Sequence, residues 1–315
     1  MVKVKTVSEK PPKPLKPKGV DHMGYVFVAP FIIVFLIFSL YPVFRTLYLS
    51  FCEYKGGILA EPEFIGADNY IRVFKDKFFW RDLFNTAKIW IINIILQLGF
   101  AFLLTIVFSD VKYKIRGLGI YRAVYYLPNL IAATSIAFLF KTLLDQRTGS
   151  VNQLIYSMGY HGEPVNWIGS PQLAFVTIGV IQAWMWFGNS FIMLMAGVMG
   201  ISRDYFEAAA IDGAGRWKIF TSITLPLLKP IMLYVFVTSL IGGLQMFDLP
   251  NLMIARGTSE YDSIETVVMM LYKFGFGSGT KDIGYASAIA YVLFMIIFVF
   301  SLIQFVLMRD KDKEG

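Results

Sequence analysis

The chain has 315 residues, of which 56% are hydrophobic and only 16% charged, with a mean hydropathy of +0.59 and a formal net charge of +7. So apolar a composition excludes an ordinary soluble domain and places the chain among membrane proteins. Its Lys and Arg collect beside the apolar runs, so the positive charge reads as membrane topology and not as a nucleic-acid surface.

Residues 1 to 23 form a Lys/Pro tail, with Lys3, Lys5, Lys10, Lys13, Lys16 and Lys18 interleaved with prolines. Such a segment buries no core and is expected to be extended. The first apolar run after it is too long for a signal peptide and lacks a small-residue cleavage site, so it reads as a retained anchor. Six runs are long enough to span a bilayer, which takes about 20 apolar residues: 24–51, 84–109, 120–144, 173–200, 231–255 and 286–308. Pro30, Pro42, Pro128, Asn189, Asp248 and Pro250 interrupt them, as is tolerated where a helix faces protein or a water-filled cavity. The single cysteine, Cys52, excludes an internal disulfide and reads as a small apolar filler. The segment around Asp68-Asn69-Tyr70 and Phe79-Trp80 predicts a short interfacial amphipathic helix.

The segments between the runs differ in basic charge. With the N-terminus inside, the inner segments 1–23, 110–119, 201–230 and 309–315 carry 16 Lys and Arg in 70 positions. The outer segments 52–83, 145–172 and 256–285 carry 9 in 90. The bias favours six spans with both termini in the cytoplasm. The expected organisation is therefore an all-α polytopic fold: a tail over 1–23, a six-helix membrane domain over 24–309, and a short tail over 310–315.

The inner segment 201–230 is a polar island. Asp204 with Glu207 three residues on resembles a capping box with Asp in the cap position. Ala208, Ala209 and Ala210 favour helix and leave a bare face open to close approach. Gly213 and Gly215 allow a tight reversal. Arg216 to Ser222 can form two further turns, with Trp217 and Phe220 on one side, and Leu225-Pro226 is expected to end that helix.

The spacing within this island is specific: Glu207-Ala208-Ala209, three residues, Gly213, nine residues, Ile223, one residue, Leu225-Pro226. It resembles the EAA loop of ABC importer permeases, where the loop is the cytoplasmic coupling helix that docks in a groove of the ATP-binding subunit. The resemblance runs from about Tyr25 to Met308. Tyr121-Arg122-Ala123, Tyr126-Leu127-Pro128, Trp184 with Gly188, Asp212-Gly213-Ala214, Phe247-Asp248 and Gly284 to Ala288 are similar to stretches of the carbohydrate importers of the maltose/maltodextrin type. Two departures stand out. Ala255-Arg256-Gly257-Thr258-Ser259 replaces the family's Thr-Gly-Gly-Gly-Pro-like turn, and the large first outer domain of enterobacterial maltose permeases is missing.

The resemblance implies an all-α type I permease fold and a coupling role for Glu207, Ala208, Ala209, Asp212, Gly213, Ile223, Leu225 and Pro226. Polar groups inside spanning helices are costly, which makes them functional suspects. Gln182, Trp186 and Asn189 fall on one side of the fourth run, and Gln245 and Asp248 lie beside Gly242-Gly243 in the fifth. The same residues also have a plain reading as interhelical glue and close packing. With the family's sugar-facing positions added, the substrate candidates are Asn129, Gln182, Met185, Trp186, Asn189, Gly243 and Met246.

No catalytic set appears. The two histidines, His22 and His161, stand apart, no Cys/His/acid cluster has metal spacing, and no Walker loop is present. No cofactor is expected in this chain, and ATP with magnesium belongs to a partner ATPase. The implied partners are a second homologous permease, two ATP-binding subunits, an extracytoplasmic solute-binding protein and the sugar, in a prokaryotic cell membrane. An anion permease, for glycerol phosphate for example, would want Arg or Lys in its cavity. An ion-coupled secondary transporter would want ionisable residues along a path.

Overall fold

In the computed structural model of the chain, residues 20–56, 60–108, 117–254, 263–277, 279 and 281–308 are described. The chain divides into two units, Met1–Tyr48 and Leu49–Gly315. The first contains α1 (Val20–Phe35), a π turn (Leu36–Leu40) and the start of α2 (Tyr41–Ser50). Together Met23–Ser50 is apolar and long enough to cross a membrane. The π turn stops two residues before Pro42, whose ring would meet the carbonyl four residues back in a regular helix.

The second unit opens with a short hairpin, β1 (Cys52–Glu53) antiparallel to β2 (Glu63–Phe64), followed by α3 (Asp68–Lys75). α3 is a short helix in the expected place, with Asn69 and Val73 buried and Ile71 and Phe74 exposed. Asn69 Nδ2 donates to the carbonyls of Ser50 and Cys52 at 3.1 and 2.8 Å, which pins the hairpin to α3. Cys52 is fully buried.

α4 (Lys77–Phe108) and α8 (Pro171–Met199) are the long central rods, and they pack on each other along most of their length. Between them the chain forms α5 (Leu118–Leu130), α6 (Ala133–Leu143) and α7 (Ser150–Ser157). α5 lies against α8. A Cβ at Gly188 would collide with the Tyr125 carbonyl, so this crossing needs glycine.

The predicted span 120–144 is not one straight helix. α5 and α6 meet at 86°. Pro128 lies near the end of α5, and Ile131 takes an extended backbone (φ −80°, ψ 134°), which breaks the helix there. Among the described residues, five helices are long and apolar enough to cross a membrane, and six if this bent pair counts as one span.

The segment 201–230 forms α9 (Arg203–Ile211), α10 (Arg216–Ile219), a π turn (Phe220–Thr224) and α11 (Leu225–Leu227). The second half therefore runs through Leu225-Pro226 and does not end there. As at Pro42, the π turn stops two residues before the proline, and its wider ring absorbs the missing amide. α12 (Lys229–Leu244) and α13 (Asp248–Met253) share the fifth apolar run, with a break at Gln245–Phe247. α14 (Val267–Phe276) and α15 (Ile283–Met308) complete the unit. The last four residues of the expected tail 1–23 already belong to α1; the rest of that tail, the tail 310–315, most of the segment 110–119, and the Ala255–Ser259 departure lie outside the described residues.

Among the described residues, three apolar clusters fill the second unit. One joins α4, α6, α8 and α13 through Ile89, Ile136, Ile178 and Leu249. A second joins α3, α12, α14 and α15 through Val73, Leu240, Met270 and Tyr285. The third lies at the α9 end and holds Ala101, Phe191, Leu194, Phe206 and Leu228.

Candidate functional site: a polar crevice and a helical hook

A crevice opens between α4, α8 and α12. α8 contributes Gln182, Trp186, Asn189, Ser190 and Met193 to its walls, and α12 contributes Val235, Thr238, Ser239, Gly242 and Gly243. Asn93 and Gln97 of α4 close the third side. Among the described residues, no charged side chain lines it. Its free space is about 40 Å³, room for water but far less than a sugar ring needs. The conformation described here is thus closed at this point.

Gln97 ties the three helices together. Its Nε2 donates to Ser190 Oγ at 2.7 Å, and its Oε1 accepts from Asn93 Nδ2 and from Ser239 Oγ, each at 3.3 Å. Of the seven predicted substrate residues, Gln182, Trp186, Asn189 and Gly243 come together here. Met185 and Met246 are instead buried in the apolar cluster with Ile89 and Leu249. Asn129 is half-buried at the end of α5, beside the bend, and does not line the crevice.

The paired glycines of α12 divide their duties. A Cβ at Gly242 would meet nothing within 4 Å, whereas one at Gly243 would run into the indole of Trp90. Gly242 leaves space and Gly243 permits contact. Gln245 and Asp248, at the break that follows, are exposed and outside the crevice wall.

Sequence reasoning passed over Asn93 and Gln97, and also a polar belt near the start of α4. There Arg81 reaches Asp82 at 2.8 Å and Glu265 at 3.1 Å, and both carboxylates are buried. Asn85 Nδ2 donates to the carbonyls of Ser263 and Glu265, and Thr86 accepts from the Val267 amide, which staples α14 to α4. On α3, Arg72 pairs with Asp282 at 2.6 Å and lies 3.7 Å over the Tyr285 ring, whose hydroxyl donates to Asp76. In the loop after α6, the Asp145 carboxylate accepts from the Thr148 amide and hydroxyl and from the Arg147 amide. Those bonds hold its pKa below the ordinary carboxylate value.

At the other end, α9 and the helix after it form a hook. The cap of α9 is Ser202, which accepts from the Asp204 amide at 3.3 Å, so the expected Asp204–Glu207 box is not made. Asp204 occupies the first turn instead, where its charge suits the helix dipole. Glu207 is exposed. Gly213 has φ +73°, and the amides of Gly213 and Ala214 bond the carbonyls of Ala210 and Ala209 at 3.2 and 2.9 Å. This is the glycine-terminated helix ending in which the left-handed residue satisfies the last carbonyls.

Phe206 and Ala209 point inward, and Phe206 joins the cluster of Phe191 and Leu194 on α8. Ala208, Asp212 and Gly213 are exposed together with Ile211 at 87% and Trp217 at 67%. Ile223 and Leu225 are half-buried and Pro226 is exposed. Among the described residues, no group of three or more His, Cys, Asp or Glu is placed to hold a metal ion.

Apolar rods around an uncharged polar crevice, with a helical hook at one end, define a multi-pass membrane permease. The chain belongs to the family of binding-protein-dependent transport system inner membrane components, which it matches over residues 97–313. It is 32% identical over 291 residues to the lactose transport system permease protein LacF of Rhizobium radiobacter, covering 92% of this chain and 95% of that one. To the arabinooligosaccharides transport system permease protein AraP of Bacillus subtilis (strain 168) it is 30% identical over 292 residues, covering 92% and 90%. A crystal structure of a bacterial alginate ABC transporter, in complex with alginate pentasaccharide-bound periplasmic protein, contains a chain that matches at TM-score 0.78 and 25% identity. That match covers 94% of this chain and 96% of the other. The fold is accordingly the type I ABC permease fold, and the chain is a transporter subunit and not an enzyme.

Proposed function

We propose that this chain is the membrane-spanning permease subunit of an ATP-driven importer, and that it passes an oligosaccharide or related neutral sugar handed over by an extracytoplasmic binding protein. The observation that carries the reading is the crevice: amides, hydroxyls, a tryptophan and a bare glycine, with no charge. Hydroxyl groups are matched by such donors and acceptors, and the faces of sugar rings by an aromatic wall. An anion permease would need a cation there. The relatives named for lactose and for arabinooligosaccharides support the sugar class.

In this reading a second, homologous permease completes the translocation path, both termini are cytoplasmic, and two ATP-binding subunits, which hold ATP and magnesium, dock on the hooks. Glu207, Ala208, Asp212, Gly213 and the apolar Ile211 and Trp217 present the docking face. Phe206 and Ala209 fasten it from behind, and Ile223, Leu225 and Pro226 shape the second arm. Gln182, Trp186, Asn189 and Gly243 face the sugar in the crevice, while Asn129, Met185 and Met246 complete the path when the bundle opens.

The test is co-purification of the four-subunit complex and its ATPase rate in lipid, with binding protein and a panel of neutral and anionic sugars. Stimulation by a neutral sugar supports the reading. Stimulation by anions alone, or solute movement by this chain without an ATPase, would overturn it.

A further inference from the structure

The crevice contains a polar group with nothing to bond. Asn93 is 97% buried, judged by a relative exposure of 3%, and lines the crevice. Its Nδ2 donates to Gln97, but its Oδ1 has no partner. Turning the amides does not remove the problem. If Gln97 and Asn93 are both flipped, Ser190 and Ser239 can reverse their hydroxyls, and it is then the Asn93 nitrogen that is left bare. Either way one end of this amide is unsatisfied. A buried polar atom left without a partner is costly, which favours any ligand group that can pair with it.

A second orphan lies one turn earlier on the same face of α4. The indole nitrogen of Trp90 is buried without an acceptor, and its ring presses on Gly243 of the crevice wall. Asn93 is sixteen residues from the start of α4 and fifteen from its end. At 1.5 Å per residue it is about 24 Å from one end, the middle of the span.

We propose that α4 forms part of the solute path, with Asn93 as a specificity-determining contact that takes a hydroxyl of the passing sugar. A hydroxyl both donates and accepts, so it satisfies the amide in either orientation. Gln97 is the positioning residue that fixes the amide, and the Trp90 indole offers a donor beside it. When the crevice is closed, its small free space admits only water at this point. The inference rests on the reading of the chain as a sugar permease and extends the path to a helix that reading did not use.

The experiment uses the assembled transporter in liposomes. Uptake, ATP turnover stimulated by sugar-loaded binding protein, and thermal stability are measured for wild type, Asn93→Leu and Asn93→Ser. Asn93→Leu keeps the heavy-atom count and branching of the side chain and removes the orphan. The expected result is unchanged or raised melting temperature and about tenfold less sugar moved per ATP. Asn93→Ser, which restores a hydroxyl, should recover at least half of that loss. Wild-type uptake by Asn93→Leu overturns the inference alone. So does a loss of uptake that parallels a fall in melting temperature in both variants, since that marks a structural role. If the wild-type complex moves no sugar, the reading of the chain as a sugar permease falls first and this inference with it.

Discussion

Gly213 allows the hook to be tested with its two possible roles separated. Its φ of +73° lies in the left-handed region, and a Cβ built there would meet nothing within 4 Å. The cost of an L-residue is therefore backbone strain alone, about 1–2 kcal/mol for alanine and less for asparagine or aspartate. One kcal/mol shifts the population of the formed turn about fivefold, against a folding free energy of roughly 5–15 kcal/mol. No such variant should unfold the protein, and Phe206 still anchors α9 from behind.

Gly213→Asn and Gly213→Asp strain the turn alike, but only the second adds a charge to the exposed face. If the hook docks an ATPase by close contact, Gly213→Asn should transport within a few-fold of wild type. Gly213→Ala should be mildly impaired, and Gly213→Asp should be inactive at normal membrane abundance. Sugar uptake and co-purification of the ATP-binding subunit with each variant read this directly. Normal transport by Gly213→Asp would refute the coupling role. Equal loss in Gly213→Ala and Gly213→Asp would mean that the turn, and not the surface, is what matters.

Three other outcomes are expected. Gly242→Ala should leave the melting temperature in detergent unchanged, while Gly243→Ala, forced into Trp90, should cost about 1–3 kcal/mol and lower it; equal melting would contradict the division of duties between them. Phe206→Ala removes the buried anchor of α9, a change of about 3 kcal/mol or more in a packed core, and should expose Arg203, Arg216 and Lys218 to trypsin severalfold faster than in wild type. The Asp145 carboxylate has a depressed pKa in the fold, so its turn is supported above the ordinary value of about 4 and loses that support as pH falls through and below it. Amide exchange at Arg147 and Thr148 should accelerate at low pH, and Asp145→Asn should show the fast rate already at pH 7; exchange independent of pH in wild type, after correction for intrinsic rates, would contradict this.

The long spans and the hook were legible because they depend on local properties. Apolar length identified α4, α8 and α15, and fixed spacing identified Glu207 to Pro226. Phase sorts the candidates on the fourth run. Gln182, Trp186 and Asn189 follow helical spacing and face the crevice together, while Met185, 40° from Asn189 but 100° from Trp186, lies on the flank that turns toward the apolar cluster of Ile89. The 86° bend was hidden because Pro128 signals only a disturbance, and the direction of the chain is decided at Ile131. Asn93 and Gln97 were invisible in a run of isoleucine and leucine, since nothing local says which flank of a 32-residue apolar helix meets two others. The pairing of Arg81 with Glu265 spans 184 positions and has no trace in either segment.

Phe206 is seated against Phe191 and Leu194, and α8 continues without a break from those residues to Asn189, Trp186 and Gln182. Ala101 of α4 belongs to the same seat, and Gln97 is one turn further along. The hook is thus seated on the same stretches of two long helices that also wall the crevice, with Phe191 and Leu194 interleaved with Ser190 and Met193. In the proposed coupling role, a displacement applied to α9 would pass to those walls through this shared packing. If the hook transmits motion as proposed, its stroke should reach the crevice walls undivided, because seat and walls share one turn of α8 and neighbouring turns of α4.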